Sequence, residues 1–320
     1  MSVAQAPIIA FVVPCFNEEA ALPQTIRELL ALLQILSRGN EISGASYIVF
    51  VDDGSTDGTW ALIAQACAAQ PGQIRGLKLA HNAGHQNALL AGLISQIGKA
   101  QATISLDADL QDDISVVASM VDQFRNHDVD IVFGVRKDRK SDTVFKRATA
   151  NIYYHLVDWL GAKVIPHHAD FRLMSDRAVR ALASYGEVNL FLRGLVVQLG
   201  FKTGIVEFGR LPRRHGETKY TLSKMAGLAI DGVTSLSIRP IRIVAAFGIL
   251  LFVAFLGMAV WVFTTWLGGE TVQGWTSVML LFLMIASFQT FAIAVIGEYV
   301  GKTYFEAKAR PRFIIEKEID

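Results

Sequence analysis

Leu106-Asp-Ala-Asp-Leu-Gln-Asp-Asp113 sets two carboxylates, Asp107 and Asp109, one residue apart at the end of the apolar run Ala102–Leu106. Ionised groups at a strand's edge are costly to bury without a partner. Two carboxylates so spaced can both reach a divalent cation carried on phosphate oxygens, which suits Mg2+ or Mn2+. Asp112 and Asp113 fit a plainer role at the acidic start of the following helix. A second segment, Val51-Asp-Asp-Gly-Ser-Thr-Asp-Gly-Thr59, has the same plan: a carboxylate pair at a strand end, a glycine turn, then a helix cap from Ser55 or Thr56. Asp52 and Asp53 exceed what capping needs, and a carboxylate there can accept hydrogen bonds from a nucleobase or a ribose hydroxyl.

Around these segments the chain alternates strand and helix patterns. Ile8–Val13, Tyr47–Val51, Ile74–Leu79, Ala102–Leu106 and Asp130–Val135 read as buried strands, and Glu18–Leu36, Asp57–Ala69, His85–Ile97 and Ser115–Arg125 as helices. This implies an α/β fold with a mainly parallel sheet covered on both faces. Ligands then belong beyond the carboxyl ends of the strands, at Pro14–Glu18, Asp52–Thr59, Asn82–His85, Asp107–Asp112 and Gly134–Arg136. Further on, Asp170–Met174 and Lys202–Phe208 read as strands, Ser175–Ala183 and Phe191–Leu199 as helices. Leu222–Ser237 has the apolar face of a surface helix.

From Ile243 to Gly269, and again from Thr271 to Gly297, there is no Asp, Glu, Lys or Arg. Each run exceeds the roughly 20 residues a helix needs to cross a bilayer core. The connection between them lacks Lys and Arg, whereas Arg239 and Arg242 precede the first run and Lys302, Lys308, Arg310 and Arg312 follow the second. The charge asymmetry predicts a two-helix hairpin in the cytoplasmic membrane with both termini cytoplasmic, and Trp261, Trp266 and Trp275 fit the far interface. Met1–Pro7 has no basic start of a signal peptide. The expected organisation is a catalytic body over 1–220, a juxtamembrane helix over 221–240, two membrane helices over 241–300 and a tail over 301–320.

Composition agrees. Hydrophobic residues make up 52% of the 320, charged residues 18%, and the mean hydropathy is +0.37. Thirty Lys+Arg against 29 Asp+Glu give a net charge of +1, which argues against a nucleic-acid partner. Two cysteines cannot build a disulfide scaffold. Gly92–Lys99 resembles a phosphate loop with the wrong spacing, and G-x-G-x-x-G is absent. His81/His85 and His167-His168 lack the further ligands a zinc site needs.

Val12-Val-Pro-Cys-Phe-Asn-Glu-Glu19, Val51–Asp57 and Asp107-Ala-Asp-Leu-Gln111 together resemble glycosyltransferase family 2. The agreement runs on through Asn82-Ala-Gly84, Gly134-Val-Arg136, Asp170-Phe-Arg-Leu173, Arg213–Tyr220 and Gly297-Glu-Tyr-Val-Gly301 to Arg310-Pro311, nearly the whole chain. In order and spacing it is similar to the polyprenol-phosphate glycosyltransferases. The resemblance implies a GT-A (Rossmann-like, nucleotide-sugar-binding) domain plus the membrane hairpin. It implies transfer of a sugar, glucose from UDP-glucose first, to polyprenyl phosphate, giving a lipid-linked donor for cell-surface or lipopolysaccharide modification. Mannosyl and aminoarabinosyl transfer, and a non-catalytic nucleotide-sugar-binding protein, are the alternatives.

Carried over by position, Pro14, Phe16, Glu18, Asp52, Asp53 and Asp107 should line the nucleotide-sugar pocket, with Phe16 where relatives often have Tyr. Asp107, Asp109 and Gln111 match metal positions for Mg2+ or Mn2+. Arg136, Lys146, Arg147, Arg213 and Lys219 match basic positions near the lipid phosphate. Asp107, Asp109, Asp170 and Arg136 are the implied catalytic set. Asp170 matches an aspartate proposed as a base, but an acceptor already anionic at neutral pH needs none, which favours an orienting role. Relatives also form homotetramers. A processive polysaccharide synthase would carry Gln-x-x-Arg-Trp, which is absent. A transporter would need ionisable groups inside the membrane runs.

Overall fold

The computed structural model describes residues 6–136, 168–188, 190–209, 234, 237–268 and 274–320. Lys146, Arg147, Arg213, Lys219 and nearly all of the expected 221–240 helix lie outside the described residues.

Within them one eight-stranded sheet has the order β7-β5-β6-β4-β1-β2-β3-β8. Its strands are β1 (Ile9–Cys15), β2 (Tyr47–Asp52), β3 (Ile74–Leu79), β4 (Ala102–Ser105), β5 (Ile131–Arg136), β6 (His168–Ser175), β7 (Thr203–Phe208) and β8 (Ile315–Ile319). β1 pairs parallel with β2 and β4, β2 with β3, and β5 with β7. β6 runs antiparallel between β4 and β5, and β8 antiparallel on β3. The sheet is therefore mixed: two late segments enter against the direction of the first four strands.

Alternation along β1 explains the two-faced cover. Phe11 and Val13 point to one apolar cluster with Ile48 and Phe50, while Ala10 and Val12 point to the other with Val49 and Val51. Helices α1 (Leu22–Arg38), α2 (Thr59–Ala69) and α4 (Val117–Asn126) supply the first cluster. α3 (His85–Ser95), α5 (Asp176–Ala183) and α6 (Leu192–Gln198) supply the second. Burying each large aliphatic or aromatic side chain contributes about 1.5–3 kcal/mol. Gly92, the first glycine of the phosphate-loop look-alike, sits inside α3, where a Cβ would lie 2.4 Å from Val12 Cγ1. Close helix-to-sheet packing accounts for it.

Chain order reverses between β1 and β4, so the crevice beyond their carboxyl ends is the switch point of the sheet. α7 (Arg239–Leu267) and α8 (Trp275–Lys308) follow the body. Both are long and apolar enough to cross a membrane, and Phe247 packs on Phe288 with ring centroids 4.8 Å apart. Their large side chains, Leu250, Phe263 and Phe282 among them, face outward, as lipid-facing residues do and core helices do not. Trp261 is exposed; the side chains of Trp266 and Trp275 lie outside the described residues. Residues 301–320, expected only as a tail, continue α8 to Lys308 and then add β8 to the sheet.

Candidate active site

Two loops at the switch point lock together through backbone and side chain. Asn17, in the left-handed region at φ 54, donates its N–H to Ser55 Oγ at 3.0 Å and accepts from the Thr56 N–H at 2.9 Å. The Glu18 N–H reaches Thr59 Oγ1 at 2.9 Å, and Glu19 Oε2 accepts from the Gly58 N–H at 2.9 Å. Pro14 is buried at the floor of this joint, Glu18 is half-buried, and the Phe16 ring is exposed at its mouth. Cys15 is buried there, and burial, with Glu18 and Asp52 nearby, holds its thiol well above the usual range, so it is no nucleophile.

The adjacent aspartates have different surroundings. Asp53 Oδ1 accepts from the Ala83 N–H at 2.7 Å and Oδ2 from the Gly84 N–H at 3.0 Å, so this carboxylate shapes the Asn82-Ala83-Gly84 loop. Gly54, at φ +66, lets the two loops touch: a Cβ there would lie 2.6 Å from Asn82 N. Asp52 is fully buried; its Oδ1 accepts from the Ser55 N–H at 3.3 Å, while Oδ2 has no hydrogen-bond partner among the described residues. Burial raises both carboxyls above the usual range. A buried oxygen without a donor is an opening for one on a ligand.

Asp107, just past β4, stands in a constellation of charges. His85 Nε2, at the first turn of α3, lies 3.7 Å from Asp107 Oδ1 and 3.6 Å from Asp170 Oδ2. Burial pushes the Asp107 carboxyl up to about 6; His85 opposes the shift, while the charges of Asp170, Asp112 and Asp109 add to it. Burial opposes a charge on His85, yet the hydrogen bond to Asp170 and the two carboxylates raise its proton affinity on balance.

Asp170 is buried in β6. Arg193 of α6 grips it bidentately, Nε to Oδ1 at 3.2 Å and Nη2 to Oδ2 at 2.9 Å, and Arg172 Nη2 reaches Oδ1 at 3.0 Å. Burial works against its charge, but His85, Arg193 and Arg172 prevail and hold the carboxyl well below the usual range. A carboxylate so held is a weak base. Arg172 is itself buried; Nε and Nη1 have no partner among the described residues, so Asp170 supplies its visible charge compensation.

Asp109 Oδ2 accepts from Gln111 Nε2, and Oδ1 from the Gln111 N–H at 3.3 Å, a local turn that sets Leu110 at φ 41. Asp113 caps the short turn Ile114–Val116 by accepting from the Ser115 N–H at 3.0 Å. Asp112, read from sequence as a helix-start carboxylate, instead takes Arg136 bidentately, with Nε to Oδ1 at 3.1 Å and Nη2 to Oδ2 at 3.2 Å. The reason is position: Asp112 is buried beside the end of β5, where Arg136 is at hand.

The structure thus brings Asp107 and Asp170 together, Asp109 onto Gln111, and Arg136 onto Asp112. Sequence reasoning missed His85, Arg172 and Arg193. Arg172 lay inside the quoted Asp170-Phe-Arg-Leu173, and His85 at a strand-end segment already marked for ligands; Arg193 gave no local signal. Among the described residues no three His, Cys, Asp or Glu side chains form a metal cage. The donors present still fit a hard cation that keeps its phosphate and water ligands. Asp107 and Asp109 offer carboxylate oxygens, and the crowd of like charges that raises Asp107 is one a cation relieves.

Residues 10–182 match the model of glycosyl transferase family 2. An uncharacterized glycosyltransferase, YkoT, of Bacillus subtilis is 44% identical, over 97% of this chain and 91% of the relative. A prophage bactoprenol glucosyl transferase homolog of Escherichia coli is 37% identical over 97% and 98% of the two chains. The bactoprenol glucosyl transferase of Shigella phage SfV is 36% identical over 97% and 98%. Among solved structures, a mannosyltransferase of Pyrobaculum calidifontis in complex with GDP-Man and Mn2+ aligns over 93% of this chain and 88% of its own, at 14% identity and TM-score 0.48.

Proposed function

This chain belongs to glycosyl transferase family 2, and from that premise we propose that it moves a glucosyl unit from UDP-glucose to polyprenyl phosphate at the cytoplasmic face of a membrane. The observation that carries the reading is the joint presence, in one chain, of the Asp107/Asp109 strand-end site and two membrane-length helices whose apolar side chains face outward. Relatives named for bactoprenol glucosyl transfer at 36–37% identity support the choice of sugar and lipid. Both termini are then cytoplasmic, and the lipid product serves later cell-surface glycosylation.

In this mechanism the nucleotide lies over β1 and β2, against Pro14, Phe16 and Glu18, with Asp52 Oδ2 taking a hydrogen bond from the base or ribose. Asp53 works from below by fixing the Asn82–Gly84 loop. Asp107 and Asp109 would hold a Mg2+ or Mn2+ ion, with Gln111 aiming Asp109. When bound, that ion offsets charge building on the departing nucleoside diphosphate.

The acceptor phosphate is anionic at neutral pH, so its oxygen attacks the anomeric carbon directly and inverts it. Asp170 has no proton to remove. Ionised between Arg172 and Arg193, it orients Arg193 and His85 toward the sugar and the incoming phosphate. Arg136 is committed to Asp112 and steadies the Asp107–Asp113 loop. Arg213 and Lys219, with Lys146 and Arg147, are the proposed cations for the lipid phosphate.

The test is a donor screen: purified full-length protein, undecaprenyl phosphate and UDP-glucose, GDP-mannose or a UDP-linked aminoarabinose, read by mass spectrometry of the lipid. A hexose added from UDP-glucose alone is expected. Transfer from GDP-mannose alone would replace glucose with mannose, and no adduct with any donor would leave a nucleotide-sugar-binding protein.

A further inference from the structure

The last turns of α8 have no place in a bilayer. Trp275–Gly297 carries no charged side chain and, at about 1.5 Å per residue, covers the roughly 30 Å of a hydrocarbon core. Glu298–Lys308 projects past it, with Glu298, Lys302 and Glu306 spaced four residues apart along one face. Glu306 is aimed into the body: both its carboxylate oxygens accept from the Val188 N–H, at 3.0 and 2.9 Å. The helix then stops at Ala309, left-handed at φ 45, with Pro311 following. Arg312 Nη2 donates to the Tyr185 carbonyl at 2.8 Å, and Phe313 packs on the same apolar cluster as Tyr185 and Leu190.

The Glu306 and Arg312 contacts both fall on the connection between α5 and α6. Directly after it the Leu192 N–H, at the start of α6, is taken by Gln86 Oε1 at 2.8 Å. The next residue, Arg193, holds Asp170. Gln86 adjoins His85, whose Nε2 lies 3.6 Å from the same Asp170 Oδ2 that Arg193 Nη2 holds. The end of the membrane helix therefore contacts the segment that leads into α6, and α6 carries Arg193 to the charge cluster beside Asp107. The Asn17–Ser55 and Glu18–Thr59 bonds that join the loops after β1 and β2 are not among these contacts.

We infer that Glu306, with Arg312, is a positioning residue for group transfer: the membrane helix sets where α6 stands, and α6 sets the Arg193–Asp170 clamp. This rests on the transferase reading above. It predicts that loosening the junction slows transfer while donor binding, whose nucleotide part rests on the loops after β1 and β2, changes little.

The test uses full-length protein in lipid nanodiscs with undecaprenyl phosphate. Glu306→Ala should lower turnover about tenfold or more, in line with the roughly hundredfold cost of a 1 Å misplacement remote from the chemistry, with the donor dissociation constant within about twofold of wild type. Glu306→Gln keeps an oxygen for the Val188 N–H and should restore most of the turnover. Glu318→Ala, which removes only the exposed pair with Lys99 at 3.0 Å, should leave turnover unchanged. Should the alanine variant fail to fold, Glu306→Asp, one methylene shorter, carries the same expected split.

Amide hydrogen exchange gives a second readout that needs no substrate: Glu306→Ala should speed exchange at Val188 and through α6 but not in β1–β3. Wild-type turnover in Glu306→Ala, parallel loss of donor binding, or unchanged exchange in α6 would each overturn the inference. A wild-type chain that moves no sugar would sink the transferase reading instead, with the exchange comparison still deciding the linkage.

Discussion

Replacing Asp170 with asparagine should cost far more than one hydrogen bond. The amide keeps an oxygen for Arg172 but not the charge, and Arg172 is 1% exposed with two guanidinium nitrogens unpartnered among the described residues. Removing one member of a buried pair leaves the other uncompensated, at about 3–5 kcal/mol. The lower end applies because the amide still accepts. For a body of this size each kcal/mol moves the melting temperature by about 2–4 °C, so Asp170→Asn should melt about 6–12 °C lower.

Melting of the full-length protein in detergent, followed by tryptophan fluorescence, reads the shift. Arg172→Met in the Asp170→Asn background should return part of it, because the orphaned charge is gone. The pH dependence has a fixed sign: Asp170's carboxyl is held below its unfolded value, so its contribution is complete above about pH 4 and lost as pH falls through the lower, folded value. A melting point for Asp170→Asn within about 2 °C of wild type would refute the reasoning, as would no recovery in the double variant.

Asp109→Ala should abolish metal-stimulated transfer while membrane insertion persists; full transfer by that variant in EDTA would remove the metal from the mechanism. Asp107, with its carboxyl raised to about 6, binds a cation only once ionised, so stabilisation by Mn2+ in melting experiments should be large at about pH 7.5 and much smaller at about pH 5. Equal stabilisation at both would place the ion elsewhere. Gly54→Ala meets both a left-handed backbone and a backbone atom 2.6 Å from its Cβ; it should lose at least about 1–2 kcal/mol and weaken UDP-glucose binding in calorimetry, and unchanged affinity would detach that loop from the donor.

The first five strands and four helices were legible because each is local: apolar runs such as Tyr47–Val51 and turn glycines such as Gly54 carry their own signal. The placement of Asp52, Asp53, Asp107 and Asp109 at or just past strand ends was legible for the same reason, since ionised groups there stand out against apolar neighbours. Pairing direction was not. β6 reads as a strand from Phe171, Leu173 and Met174, but nothing nearby says that it enters antiparallel between β4 and β5. Ile315–Ile319 sets Glu316, Lys317 and Glu318 in a row between two isoleucines, which carries no strand periodicity, and its partner lies far back in the chain, so it passed for a tail. Arg193 shows the same limit, because its distance from Asp170 in sequence carries no periodicity and only the packing of α6 brings them together. Asp112 misled because an acidic residue before a helix has a sufficient local explanation, and Arg136, which takes it, comes from the next strand.

That β8 closes the sheet on β3 has a bearing on how the chain is made. The strand that covers this edge is synthesised after both apolar helices, and Lys78 waits for Glu316 across a separation of 238 residues. Until that strand is made, β3 presents open N–H and C=O groups, the kind of edge on which nascent chains cross-pair. Synthesis of the two apolar helices and completion of the sheet are thus one sequence of events, and a chain interrupted between them would carry an adhesive flank.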